Sequence, residues 1–76
     1  MKCKIYTKEG CKPCKQSKAL LQKLGIEYEE VDTDKGDNFI LLMEEAGTLG
    51  TPVIVSEKGI IVGYNPVEIE KLAKEP

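Results

Sequence analysis

A chain of 76 residues holds one small domain, residues 1–76, with no room for a second, and a core of that size is marginal by burial alone. A net charge of −2, with all 11 basic residues lysine, lacks the basic bias that draws proteins to nucleic acid, and one Phe with no Trp leaves few surfaces on which bases stack. The segment Met1-Lys2-Cys3-Lys4-Ile5 lacks the long apolar region of a signal peptide, and no stretch reaches the length of a membrane span, so a cytoplasmic chain with no membrane partner is expected.

Lys2 to Thr7 alternates as a short strand does, with Cys3 and Ile5 on one side and Lys4 and Tyr6 on the other. Cys3 reads as a small buried hydrophobe of that strand. After Lys8-Glu9-Gly10 comes Cys11-Lys12-Pro13-Cys14, and from there Ser17, Leu20, Leu21 and Leu24 recur at helical spacing in one stripe until Gly25 stops the helix. Lys15, Gln16, Lys18, Gln22 and Lys23 take the other faces. Pro13 suits a first turn, where its missing N–H is not needed. Cys11 therefore stands at or just before the first turn, where unpaired N–H groups and the positive end of the dipole favour a thiolate, with Cys14 one turn further in.

Two cysteines three positions apart on a helix have Cβ atoms about 5–6 Å apart, so the pair can close and open as a disulfide without unfolding. In a reducing compartment three cysteines are not a structural framework, so such a pair is catalytic, redox-sensing or metal-binding. Lys12, Lys15 and Lys18 crowd the helix start, where each cation costs about 0.3–1 kcal/mol unless an anion offsets it. Lys12, between the cysteines, is assigned an electrostatic role on the thiolate; for Lys15 and Lys18 a solvated face weighs as heavily.

Ile26 to Val31 reads as a second strand, and Glu27, Glu29 and Glu30 suit it to a sheet edge. Strand, helix and strand in that order run parallel with a right-handed crossover, which puts the cysteines at the carboxyl end of the first strand, where open α/β sheets bind ligands. Asp32 to Gly36 is a polar turn, and Asp37 is expected to cap a second helix through Ala46 with Phe39, Ile40, Leu42 and Met43 as a broad apolar stripe. Gly47 to Gly50 releases it. Val53–Val55 and Gly59–Val62 form a hairpin about Ser56-Glu57-Lys58-Gly59. Asn65-Pro66-Val67-Glu68 supplies a cap, a proline at the first helical position and an acid at the third, opening a helix through Ala73 with Ile69 and Leu72 inward. The order is βαβ-α-ββα, an α/β fold without internal repeat or linker.

This order, with Cys-x-x-Cys opening the first helix and Thr51-Pro52 just before the third strand, resembles the glutaredoxin family of the thioredoxin fold over essentially the whole chain. Lys4-Ile5-Tyr6-Thr7-Lys8-Glu9-Gly10-Cys11 looks like the family's strand-to-active-site run, Gly50-Thr51-Pro52-Val53 like its cis-proline signature, and Tyr28–Asp32 and Gly63–Pro66 like later family segments. The resemblance implies a thioredoxin-like fold with a four-stranded mixed sheet flanked by three helices. It also implies a monomeric thiol-disulfide oxidoreductase, an electron donor in cell redox homeostasis, in which Cys11 attacks and Cys14 resolves. No bound cofactor is expected. The implied partners are disulfide-containing proteins and an external reductant, either glutathione or a thioredoxin-reductase-like flavoenzyme. Thr51 would pair its backbone with a cysteinyl peptide and Lys8 would meet a substrate carboxylate, with Lys12, Pro13, Pro52 and Asn65 completing the substrate surface. Only about 5–6% of X–Pro bonds are cis, but the family match makes a cis Thr51–Pro52 bond the expectation.

Two departures bear on the substrate. A typical glutaredoxin has Cys-Pro-Tyr-Cys, whereas here the proline precedes the second cysteine, as in thioredoxins, and lysine takes the first inner position. The family's glutathione site uses an acidic residue after the fourth strand and a backbone amide at the start of the last helix; here Asn65 is neutral and Pro66 has no amide, so glutathione binding is expected to be weaker than in the family. The alternative to redox exchange is a dimeric zinc or iron–sulfur carrier, because one chain without histidine offers only Cys11 and Cys14 to a metal.

Overall fold

The computed structural model describes residues 2–74, so Met1 of the amino-terminal segment lies outside it. Its elements are β1 (Lys2–Thr7), α1 (Lys12–Lys23), β2 (Glu27–Asp32), α2 (Asn38–Ala46), β3 (Val53–Ser56), β4 (Gly59–Val62) and α3 (Pro66–Lys74). The sheet order is β2-β1-β3-β4, with β1 parallel to β2 and antiparallel to β3, and with β3 and β4 as a hairpin. This is the thioredoxin-like arrangement, with the acidic strand β2 at an edge.

Strand alternation divides the core into two layers. Cys3 and Ile5 of β1 and Ile54 of β3 pack with Leu21 of α1 and with Ile69 and Leu72 of α3, and Ile26, Leu20, Leu24, Tyr28 and Ile61 close round them. On the other sheet face Tyr6 and Val53 meet Leu42 of α2, flanked by Val31, Ala46 and Val55. Two helices share the first face and one covers the second. That division explains a departure from the sequence reading: of the apolar residues of α2 only Leu42 is buried, while Phe39, Ile40 and Met43 stay nearly half exposed. A lone helix lying on a sheet turns one row inward.

The face of β1 that carries Lys4 and Tyr6 is tied to α2 by charge. The Lys4 ammonium and the Tyr6 hydroxyl both donate to the Glu45 carboxylate, and these donors, Lys4 first, hold that carboxyl below the usual carboxylate range. An exposed ion pair of this kind contributes up to about 1 kcal/mol.

Helix ends follow the sequence closely with one exception. Leu24 ends α1, the Gly25 N–H bonds the Gln22 carbonyl at 3.1 Å, and the Ile26 N–H bonds the Leu21 carbonyl at 3.0 Å. That paired closure needs the left-handed backbone of Gly25, at φ +72°, and it draws Ile26 into the turn, so β2 starts one residue later than its apolar start suggests. Asn65 caps α3, its Oδ1 accepting the Glu68 N–H at 3.2 Å. Asp37 does not cap α2 as expected: it occupies the position with φ −101° and ψ 20°, and its side chain makes no capping bond. The neighbouring Asn38 secures the turn instead, its Nδ2 donating to the Asp32 carbonyl at 2.9 Å.

Candidate active site

Central strand β1 ends at Thr7, and the loop Lys8–Gly10 carries the chain to α1. Gly10 has φ +75°, a conformation that a side chain disfavours, and it turns the backbone so that Cys11 becomes the N-cap of α1. Cysteine here does what serine or aspartate does elsewhere: its Sγ accepts the Cys14 N–H at 3.2 Å. Cys11 and Cys14 are joined as a disulfide with Cα atoms 5.2 Å apart, inside the range a disulfide accepts. Cys11 is 7% exposed and Cys14 only 2%. Of the two cysteines, the less deeply buried is the one whose sulfur faces the helix start and accepts an amide N–H there.

The loop before the cysteines is fastened across the sheet. The Thr7 carbonyl accepts both the Thr33 N–H at 2.8 Å and the Thr33 hydroxyl at 2.9 Å, and the Glu9 N–H donates to the Asp34 carboxylate at 2.9 Å. Beside the disulfide lies a cleft of about 340 Å³ whose lining includes Lys8, Cys11, Cys14, Lys18 and Glu30. Glu30 of β2 accepts the Thr7 hydroxyl at 2.8 Å and the Lys18 ammonium at 3.0 Å, and these two, Thr7 first, hold its carboxyl below the usual range. Glu30 is thus the anion that offsets one of the cations crowding the helix start, and Lys18 is an ion-pair partner where Lys15 remains exposed.

From the opposite side the loop before β3 approaches. The Thr51–Pro52 bond is cis, and the Thr51 hydroxyl points at Cys11 Sγ at 3.6 Å. Pro52 is buried, and its carbonyl accepts the Gly63 N–H at 2.8 Å, which joins this loop to the one that leads into α3. The structure therefore gathers Lys8, Thr51 and Pro52 about the two sulfurs, and leaves Lys12 and Pro13 exposed on the first turn. Asn65 is exposed with its oxygen committed to the α3 cap. Sequence reading missed the Thr7–Glu30–Lys18 chain and the Thr51 hydroxyl contact. Cys3 stays apart as a free thiol in the core, where burial pushes its pKa up and keeps it protonated. Among the described residues no three His, Cys, Asp or Glu side chains come together as a metal site, so the carrier alternative has to draw its remaining ligands from a second chain.

The acidity of Cys11 is open to measurement. A sulfur capping a helix and flanked by Lys12 should ionise well below the ordinary thiol value of about 8.5, in the range of about 3.5–7.5 found for such motifs. Thiolate absorbance and alkylation rate of the reduced protein against pH should show this, and Lys12→Glu should raise the value. Titration of Cys11 above about 8 would contradict the electrostatics described.

A Cys-x-x-Cys pair closed as a disulfide at the carboxyl end of a central strand, in a thioredoxin-like fold, supports thiol-disulfide exchange in general, and the chain falls in the class of thiol-disulfide oxidoreductases of that fold. Within that class it belongs to the glutaredoxin family, whose profile matches residues 3–61. It is 32% identical over 69 residues to the glutaredoxin-like protein NrdH of Lactococcus lactis subsp. lactis, covering 91% of this chain and 96% of that one. It is 37% identical over 76 residues to an uncharacterized glutaredoxin-like 8.6 kDa protein in the rubredoxin operon of Clostridium pasteurianum, covering 95% and 97%. The structure of the NrdH-redoxin from Escherichia coli superposes with a TM-score of 0.85 over 100% of both chains at 24% identity, a likeness of fold.

Proposed function

We propose that this protein is a cytoplasmic, monomeric dithiol reductant of disulfide-containing proteins. The Cys11 thiolate attacks a substrate disulfide, forming a bond between Cys11 Sγ and one substrate sulfur while the other leaves as a thiolate and takes up a proton. Cys14, as thiolate, then attacks Cys11 Sγ, releasing the second substrate thiol and leaving the Cys11–Cys14 disulfide. Substrate gains the two electrons that the dithiol loses. Thr51 and Pro52 offer backbone to an extended peptide at Cys11, with Lys8, Lys12 and Pro13 on the rim. The observation that carries this reading is the asymmetry of the two cysteines at the cleft: Cys11 caps the helix with its sulfur and meets the Thr51 hydroxyl, while Cys14 is the more deeply buried residue one turn further in.

For the reductant that restores the dithiol we favour a thioredoxin-reductase-like flavoenzyme over glutathione. The E. coli NrdH-redoxin is described as having a thioredoxin-like activity profile, and the chain shares with thioredoxins a proline before the second cysteine.

The test is stoichiometric. Reduced protein mixed with an aromatic disulfide should lose two thiols for each disulfide consumed, with Cys3 still alkylatable after unfolding. Thiol loss confined to one cysteine would contradict two-step exchange, and no loss would contradict the oxidoreductase reading.

A further inference from the structure

Ser17 lies on the buried face of α1 with Cys14 and Leu21, and it is 0% exposed. Among the described residues its hydroxyl is the buried side-chain polar atom that has no hydrogen-bond partner. Nor does it use a carbonyl of the preceding turn, the usual recourse of a serine inside a helix. Buried hydroxyls left unpaired are costly and rare, so the position calls for a reason.

Its neighbour along the helix supplies one. Residues three apart on a helix stack on one face, and helical side chains lean towards the amino end, which brings the Ser17 hydroxyl over the turn that carries Cys14. In the closed disulfide the Cys14 sulfur is bonded to Cys11, carries no charge and takes no hydrogen bond from Ser17. Once that bond opens, in the reduced protein or in a mixed disulfide on Cys11, a buried thiol or thiolate appears one turn from an unpaired hydroxyl. Such a sulfur needs a hydrogen-bond partner, and a thiolate accepts strongly.

We propose that Ser17 is a positioning residue for Cys14: its hydroxyl has no partner while the disulfide is closed and becomes the partner of the Cys14 sulfur when the disulfide opens, favouring the reduced dithiol. This rests on the oxidoreductase reading above. The relevant exchange is the protein disulfide with two molecules of glutathione, giving the protein dithiol and one glutathione disulfide. Protons and electrons balance within those species.

The test is Ser17→Ala equilibrated beside the parent in glutathione redox buffers, with the reduced fraction read by alkylation and mass. Alanine fits the space of serine and favours helix, so the variant keeps the fold. The dithiol–disulfide equilibrium of the variant should move about tenfold towards the disulfide, which for a two-electron couple is about 30 mV more reducing. Thermal unfolding of both redox forms should agree, the substitution costing the reduced form and not the oxidised one. A role confined to packing would shift both forms alike and leave the equilibrium within about twofold of the parent, and that result would overturn the proposal. Where glutathione reacts too slowly the same comparison is made in dithiothreitol redox buffers, and failure of the parent pair to exchange with either would overturn the oxidoreductase reading, and the proposal with it.

Discussion

Replacing Cys11 by serine is expected to abolish disulfide reduction, and replacing Cys14 by serine is expected to arrest it half-way, with a substrate mixed disulfide held on Cys11. Serine is a good N-cap, so Cys11→Ser keeps the start of α1 folded while substituting a hydroxyl that does not ionise near neutral pH for a thiol that does. The rate should fall about 100-fold or more, towards the exchange seen without protein. Cys14→Ser leaves the capping sulfur and its amide donor in place, so the first attack proceeds. No buried thiol then completes the second, and the intact mass should show one adduct, on Cys11. The opposite pattern, with Cys14 indispensable and adducts forming there, would require the more deeply buried cysteine of the pair to reach a bulky substrate, and it would reverse the roles.

What the sequence revealed and what it hid divide along the range of the interactions. Alternation over Lys2–Thr7, helical spacing after Cys14, the Gly25 stop and the Asn65-Pro66 opening are local signals, and the elements they indicate stand where expected within a residue or two. The place of Cys11 at the helix start follows from the same spacing. The contacts that surround the cysteines are of another kind. Glu30 meets Thr7 across 23 positions and Lys18 across 12, and Thr51 meets Cys11 across 40, so none exists until the crossover puts β2 beside β1 and β3 on its other side. Glu30 was legible as an edge-strand acid and not as the counter-ion of the helix start. Ser17 was legible as a member of the inward stripe, because spacing reports the face of a residue and not its partner. Asp37 shows the converse: the residue type was right for a cap, and the backbone of that turn withheld the geometry.

Recycling of the oxidised protein should proceed at least about tenfold faster with a thioredoxin-reductase-like flavoenzyme than with glutathione, at matched physiological concentrations of each. Glutathione presents two carboxylates, for which Lys8 and Lys12 stand near the disulfide and the start of α3 would receive the γ-glutamyl end. That start is poorly furnished for an anion. Asn65 carries no charge and its oxygen already accepts the Glu68 N–H, Pro66 has no N–H to donate, and Glu68 places a carboxylate within the first turn. A missing charge-assisted hydrogen bond is worth about 1.5–3 kcal/mol, roughly tenfold or more in affinity. A protein reductase depends less on any one such bond, because it can spread its contacts over the two loops that the Gly63–Pro52 hydrogen bond holds together. Those loops carry half-exposed Leu49 and Tyr64, apolar and aromatic surface of the kind that protein partners use. Initial rates of Cys11–Cys14 reduction by the two systems, followed by thiol alkylation, decide the matter: faster turnover with glutathione would show that Lys8 and Lys12 suffice to bind it, overturning the preference for a flavoenzyme while leaving disulfide exchange itself in place.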